Sequence, residues 1–248
     1  SEKPSESEKP SEAEKPSESE KPSESEKPSE SEEPSESEEP TEPDDEPDFE
    51  NPIVLEPVTG LSDDFLFGCD MSMLIAQENS GVVYYNEKGE KQDPLLTLAN
   101  NGVNIIRVRV WNDPYDENGR GYGGGNCDTA NAIAIGKRAT NYGMECFIDY
   151  HYSDFWCDPS KQMCPKAWGG MTIAQKEKAI YDYTKESLDQ ILKAGVNVTM
   201  VQIGNEITSG MSGENNWANI STLLKSAGKA VRELSTHKEV VKSITEFA

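Results

Sequence analysis

The chain has 248 residues, five cysteines, two histidines and a formal net charge of −23, but its first 50 residues hold 21 Asp and Glu against 5 Lys. The remaining 25 acidic and 18 basic residues are an ordinary balance for a folded domain, so the charge attracts neither nucleic acid nor an anionic membrane surface. No apolar run approaches the roughly 18 residues of a membrane span, and five cysteines are too few for a disulfide scaffold and leave at least one unpaired within the chain.

Residues 1–42 are seven copies of a six-residue unit, SEKPSE grading into SEEPTE. Such a unit has no apolar side chain to offset the entropy of ordering, and its proline blocks helix and sheet. Residues 1–50 are therefore expected to be a disordered acidic linker, reaching on the order of 130 Å if residues 1–42 extend at ~3.1 Å each. A spacer of this kind joins a catalytic module to a binding module or to a cell envelope. Residues 51–248 are expected to be the folded part.

From Asp64 onward, strands and amphipathic helices alternate. DFLFGCD (64–70) predicts a first strand. QDPLLTLANNG (92–102) predicts a helix stopped by Gly102, and VNIIRVRVW (103–111) a second strand. GYGGG (121–125) opens no phosphate-cradling helix and is read as a flexible rim loop. A helix is predicted over 128–143 and a third strand over MECFIDYHY (144–152). Thr172 and Gly195 bracket a third helix. The fourth strand is VNVTMVQIGNE (196–206), and the fourth helix spans 215–234.

Four successive strand–helix units indicate an α/β fold with parallel strands. The polar and aromatic residues gather just after each strand, at Asp70, Trp111-Asn112, His151 to Trp156 and Asn205-Glu206. That placement favours a (β/α)8 TIM barrel over an open doubly wound sheet. Only the first four or so units are present, and four parallel strands cannot close a barrel. The chain as given is therefore expected to be a fragment, inactive by itself.

Glycoside hydrolysis needs two carboxyl groups across one sugar bond. Glu206 is the candidate general acid, ending an apolar strand beside Asn205, and partial burial among aromatics would raise its pKa. His151 lies among Asp149, Tyr152 and Asp154, where it could bind sugar or orient the acid. It lacks the close His or Cys partners of a zinc site, so no metal and no cofactor are expected. Arg107 and Arg109 share a face with Trp111 and need carboxylate partners such as Asp70 or Asp149; one arginine is expected to hold the acid and nucleophile in place, and the other to serve packing and charge balance. Trp111, Trp156 and Trp168 are candidate platforms for the C–H face of a pyranose. Cys157 and Cys164 could bridge in a secreted protein, whereas Cys69 and Cys146 read as buried thiols. His237 carries no functional argument.

The segments GVNIIRVRVWNDP (102–114), GYGGGN (121–126), FIDYHYSDFWCDPSKQ (147–162), PKAW (165–168) and VQIGNEITSGM (201–211) together resemble the endo-β-1,4-galactanases, the arabinogalactan endo-galactosidases of glycoside hydrolase family 53. The resemblance implies a retaining barrel enzyme acting on β-1,4-galactan, with its acid/base after strand four and its nucleophile after strand seven. It makes Glu206 the proton donor and Asn205 the ligand of the sugar 2-hydroxyl. It also brings Arg107 or Arg109, Trp111, Asn112, His151, Asp154 and Trp156 into the cleft. No residue here matches the nucleophile; Glu246 stands where a fifth strand would begin. The family's calcium sites lie in later loops. A secreted or cell-surface bacterial location is the matching expectation.

Overall fold

The structure is a computed structural model that describes residues 58–62 and 64–235. The expected linker and the positions of His237 and Glu246 lie outside the described residues. Among the described residues ten elements follow one another: β1 (Gly68–Asp70), α1 (Leu74–Asn79), α2 (Pro94–Asn100), β2 (Ile105–Val110), α3 (Thr129–Asn141), β3 (Glu145–Tyr150), a 3-10 turn (Lys166–Trp168), α4 (Ile173–Lys193), β4 (Val198–Ile203) and α5 (Trp217–Ser235).

The helices begin where side chains can satisfy free main-chain donors. Asp93 accepts from the Leu95 amide with Pro94 in the first turn of α2, and Asp128 accepts from the Asn131 amide at α3. Thr172 and Gln175 form a reciprocal capping box at α4. Helix α1 has no side-chain cap at Met73, so no start signal marks it in the sequence, and none was predicted. The expected first strand is trimmed to three residues, because Phe65 to Phe67 run exposed before pairing with β2 begins at Gly68. The expected fourth strand ends early as well. Gly204 at φ +89° turns the chain, so Asn205 and Glu206 lie past the strand rather than in it.

The four strands form one parallel sheet in the order β1-β2-β3-β4, with a register shift at Cys146/Phe147. Period-two alternation splits its residues between two faces. One carries Ile106, Val108, Val110, Cys146, Ile148, Tyr150, Val198 and Val201, all buried against α3, α4 and α5. In register on the other face stand Asp70, Arg107, Arg109, Phe147, Asp149, Met200 and Gln202. The sheet thus presents an apolar face to the helices and a charged one to the opposite side, as expected of successive barrel units.

Candidate functional site

The charged face is organised by Arg107. Its guanidinium donates to Asp70 Oδ2 at 2.8 Å, to Asp149 Oδ2 at 2.5 Å and to Asn205 Oδ1 at 3.0 Å. A planar fork suits such convergence, since each N–H meets its own oxygen. Arg107 therefore joins the ends of β1, β3 and β4, and it is the arginine that holds the residue beside Glu206. Arg109 takes the packing and charge-balancing place expected of the other arginine. Almost fully buried, it lies 3.9 Å from Asp70 and stacks 4.1 Å over the Trp156 ring.

Asp149 and His151 are completely buried. The imidazole Nε2 is 3.0 Å from Asp149 Oδ2, and Nδ1 accepts from the Cys157 amide at 3.0 Å. An accepting Nδ1 assigns the ring proton to Nε2, which donates to Asp149. His151 is therefore an orienting group for Asp149 and the loop after β3, with neither nitrogen free for a sugar or a metal. Cys157 in turn presents its carbonyl to Asn205 Nδ2 at 2.8 Å. The Asn205 amide is thus held at both ends, by Cys157 at nitrogen and by Arg107 and Gln202 at oxygen.

Glu206 comes next, at φ +50°, in the left-handed region that non-glycine residues seldom occupy. Tyr152, past the end of β3, has φ +51°. Such strain clusters at functional sites, where surrounding contacts over-determine the backbone. The expected partial burial of Glu206 does not occur: it is exposed, and its carboxylate makes no hydrogen bond or ion pair among the described residues. The last main-chain bond tying this strand to β3 runs from the Gly204 amide to the Tyr150 carbonyl, and Glu206 stands two residues further on, where the sheet no longer walls it in.

The tryptophans separate. Trp156 is 41 % exposed and, with Arg109 against its ring, keeps an open surface. Trp111 is fully buried, edge-on to His151 and Trp156, and its position beneath them leaves no open ring face. Trp168 belongs to the core, 6.2 Å from Tyr183 of α4, and offers no platform either. Asp154 accepts the Asp113 and Lys166 amides, so it fastens the loops after β2 and β3 to each other rather than reaching into the cleft. Asn112 is half-buried; its main-chain N–H donates to the Ser153 carbonyl, and its Oδ1 has no partner among the described residues. The glycine loop is set by close approach rather than by looseness: a Cβ on Gly124 would lie 2.9 Å from Trp111, and one on Gly125 3.0 Å from the Ser72 carbonyl.

All five cysteines are free, Cys157 and Cys164 included, and burial pushes the Cys157 thiol up to about 11. Cys146 is buried as expected, whereas Cys69 is only partly so. Two site residues escaped the sequence reading. Gln202 follows the same alternation as Asp149 and could have been found from it. Gln162 reaches the strand-four end from the loop after β3, and no periodicity signals it. Arg109 Nε, Trp111 Nε1, Asn112 Oδ1, Asp149 Oδ1 and Gln162 Oε1 are buried without a partner among the described residues. Among the described residues no three His, Cys, Asp or Glu converge to hold a metal.

A parallel βα sheet whose charged, histidine-bearing face ends in an Asn-Glu pair defines the class, a partial barrel of the TIM type with its polar site at the carboxyl ends of the strands. The profile of glycosyl hydrolase family 53 matches residues 66–247, and the chain belongs to that family. It is 50 % identical over 185 residues to an endo-β-1,4-galactanase of Bacillus subtilis, covering 75 % of this chain and 43 % of that one. An arabinogalactan endo-β-1,4-galactanase of Thermothelomyces thermophilus is 39 % identical over 172 residues, 68 % of this chain and 49 % of the relative. Among solved structures, the family 53 catalytic domain of Ignisphaera aggregans superposes with a TM-score of 0.73 at 42 % identity, over 77 % of this chain and 54 % of that domain. The chain thus spans about half the length of the relatives it matches.

Proposed function

We propose that this chain carries the acid/base half of an endo-acting hydrolase of β-1,4-galactan, the type I arabinogalactan side chain of pectin, working by retention with Glu206 as proton donor. The observation that carries the proposal is the Asn205-Glu206 pair, held at the end of β4 by Arg107, Cys157 and Gln202 in a chain half identical to a galactanase. In the reaction Glu206 protonates the leaving glycosidic oxygen, then takes a proton from the water that releases the sugar. Asn205 binds the sugar 2-hydroxyl through the amide hydrogen that Cys157 does not occupy. Trp156 stacks on a pyranose face. No residue of this chain is assigned as the attacking carboxylate, which retention requires about 5–5.5 Å from Glu206. No cofactor takes part, and a structural calcium belongs only to later barrel loops. The acidic repeats tether a secreted or cell-surface bacterial enzyme to a binding module or the envelope.

The test is reducing-sugar release from galactan by the enzyme that contains this chain, with mannan, xylan and cellulose as comparisons. Release from galactan alone is expected, and Glu206→Gln should lower kcat by roughly 10²–10⁴-fold with substrate binding retained. Equal rates on mannan, xylan or cellulose would overturn the substrate assignment. Full activity of the Gln variant would overturn the role of Glu206. The 248-residue chain alone is expected to bind a galacto-oligosaccharide and release nothing; no binding at all would argue against a cleft built by these strand ends.

A further inference from the structure

Glu206 has a conformational problem that its own side chain does not solve. The carboxylate is exposed and unpartnered among the described residues, so its direction is set by the backbone from Gly204 to Ile207, and that backbone sits in the disfavoured left-handed region at φ +50°. Among the described residues, the only hydrogen bond to Glu206 comes from Gln162. The Gln162 Nε2 group donates to the Asn205 carbonyl at 2.8 Å, to the Glu206 carbonyl at 3.2 Å and to the Asp158 carbonyl at 3.1 Å.

We propose that Gln162 is a positioning residue for the proton donor, clamping the peptide units of Asn205 and Glu206 from the neighbouring loop so that the carboxylate is aimed before substrate arrives. The proposal rests on the reading of Glu206 as the acid. Three features make the clamp specific. First, the amide has one workable orientation, because a flip would set Oε1 against three carbonyl oxygens. Second, the residue is seated: the Gly213 amide donates to the main-chain carbonyl of Gln162 at 2.7 Å, and a Cβ on Gly210 would stand 3.3 Å from Gln162 Cβ. Third, the far end of the same loop is pinned separately, by Lys176 on the Ser212 carbonyl at 3.1 Å and on Glu214 at 2.6 Å, so removing Gln162 frees only the end that carries Glu206. A misplacement of about 1 Å at a reacting group can lower a rate by about a hundredfold, which is the scale such a clamp controls.

Two variants test this, Gln162→Glu, which keeps the shape but at neutral pH only accepts hydrogen bonds, and Gln162→Met, which keeps the length and loses the amide. In the 248-residue chain, the carbonyl ¹³C resonances of Asn205 and Glu206 are expected to move in both variants while those of β2 and β3 stay. In the enzyme that contains the chain, kcat on galactan and on a phenyl galactoside, whose poor leaving group needs the acid, is expected to fall about 10- to 100-fold. KM on galactan should hold within about 3-fold, and so should kcat/KM on a dinitrophenyl galactoside, which reports only the glycosylation step, where this leaving group departs unprotonated. Equal losses on both aryl substrates would mark a merely structural residue and overturn the proposal, as would unmoved carbonyl resonances. If the wild-type enzyme fails on galactan, it is the functional reading that falls; the carbonyl resonances of the chain still decide whether the clamp exists.

Discussion

Arg107 shows how much a single side chain can carry when geometry allows it. Its guanidinium meets Asp70, Asp149 and Asn205 at once, and Asp149 in turn fixes the His151 tautomer. These roles were partly legible in the sequence, because alternation placed Arg107 and Arg109 on one face and a buried arginine calls for carboxylates. Which tryptophan keeps an open ring was not legible, since all three candidates share the same chemistry. Burial separates them, and a pair of substitutions should show it. Trp156→Ala is expected to weaken galacto-oligosaccharide binding, measured by calorimetric titration, while leaving the unfolding midpoint nearly unchanged. Trp168→Ala should cost about 3–5 kcal/mol in denaturant unfolding, because it opens a cavity beside Tyr183. A reversed outcome would exchange their roles.

At the scale of elements, the longer helices were readable from their amphipathic period and glycine stops, with Thr172 alone read as a cap, although every cap found is local. Asp93, Asp128 and the Thr172–Gln175 box lie within a few residues of the donors they satisfy. Helix α1 lacks such a cap and was invisible. Packing between elements is a separate matter, illustrated by two helical glycines. On Gly136 of α3 a Cβ would stand 2.6 Å from Val196 Cγ1, whereas on Gly228 of α5 it would meet the movable Arg232 Nη1 at 2.9 Å. Gly136→Ala is therefore expected to destabilise by roughly 1–3 kcal/mol, as overpacking does. Gly228→Ala should be neutral or stabilising by up to about 1 kcal/mol, since Arg232 can swing away and alanine favours a helix. Chemical denaturation of the two variants side by side checks both signs.

For the molecule as a whole, the loop that carries Glu206 is bound to the helical layer by the ion pair of Lys176 with Glu214. The Lys176 ammonium, with help from Asn219, holds the Glu214 carboxyl below its usual range. A carboxylate whose folded pKa is depressed adds stability that is present above its unfolded value, near ~4.3, and is lost as pH falls through the folded value. The thermal midpoint should therefore drop between about pH 5 and pH 3, and Lys176→Met, which removes the cause of the depression, should flatten that part of the profile. An unchanged profile in the Met variant would show that other carboxylates govern acid unfolding.

The sequence by itself determined the parallel βα order, the cap at Thr172, the paired arginines and the placing of Glu206 at the carboxyl end of the fourth βα unit's strand, because each depends on periodicity or on contacts a few residues apart. Tertiary structure alone decided the rest: that Trp168 belongs to the core, that Asp154 ties two loops, that Glu206 stands exposed on a left-handed backbone, and that Gln162 reaches it. Those outcomes depend on contacts between residues some 10 to 50 positions apart, such as the 44 positions between Gln162 and Glu206. Sequence periodicity says which way a side chain points along its own element; it does not say which neighbour another loop brings to meet it.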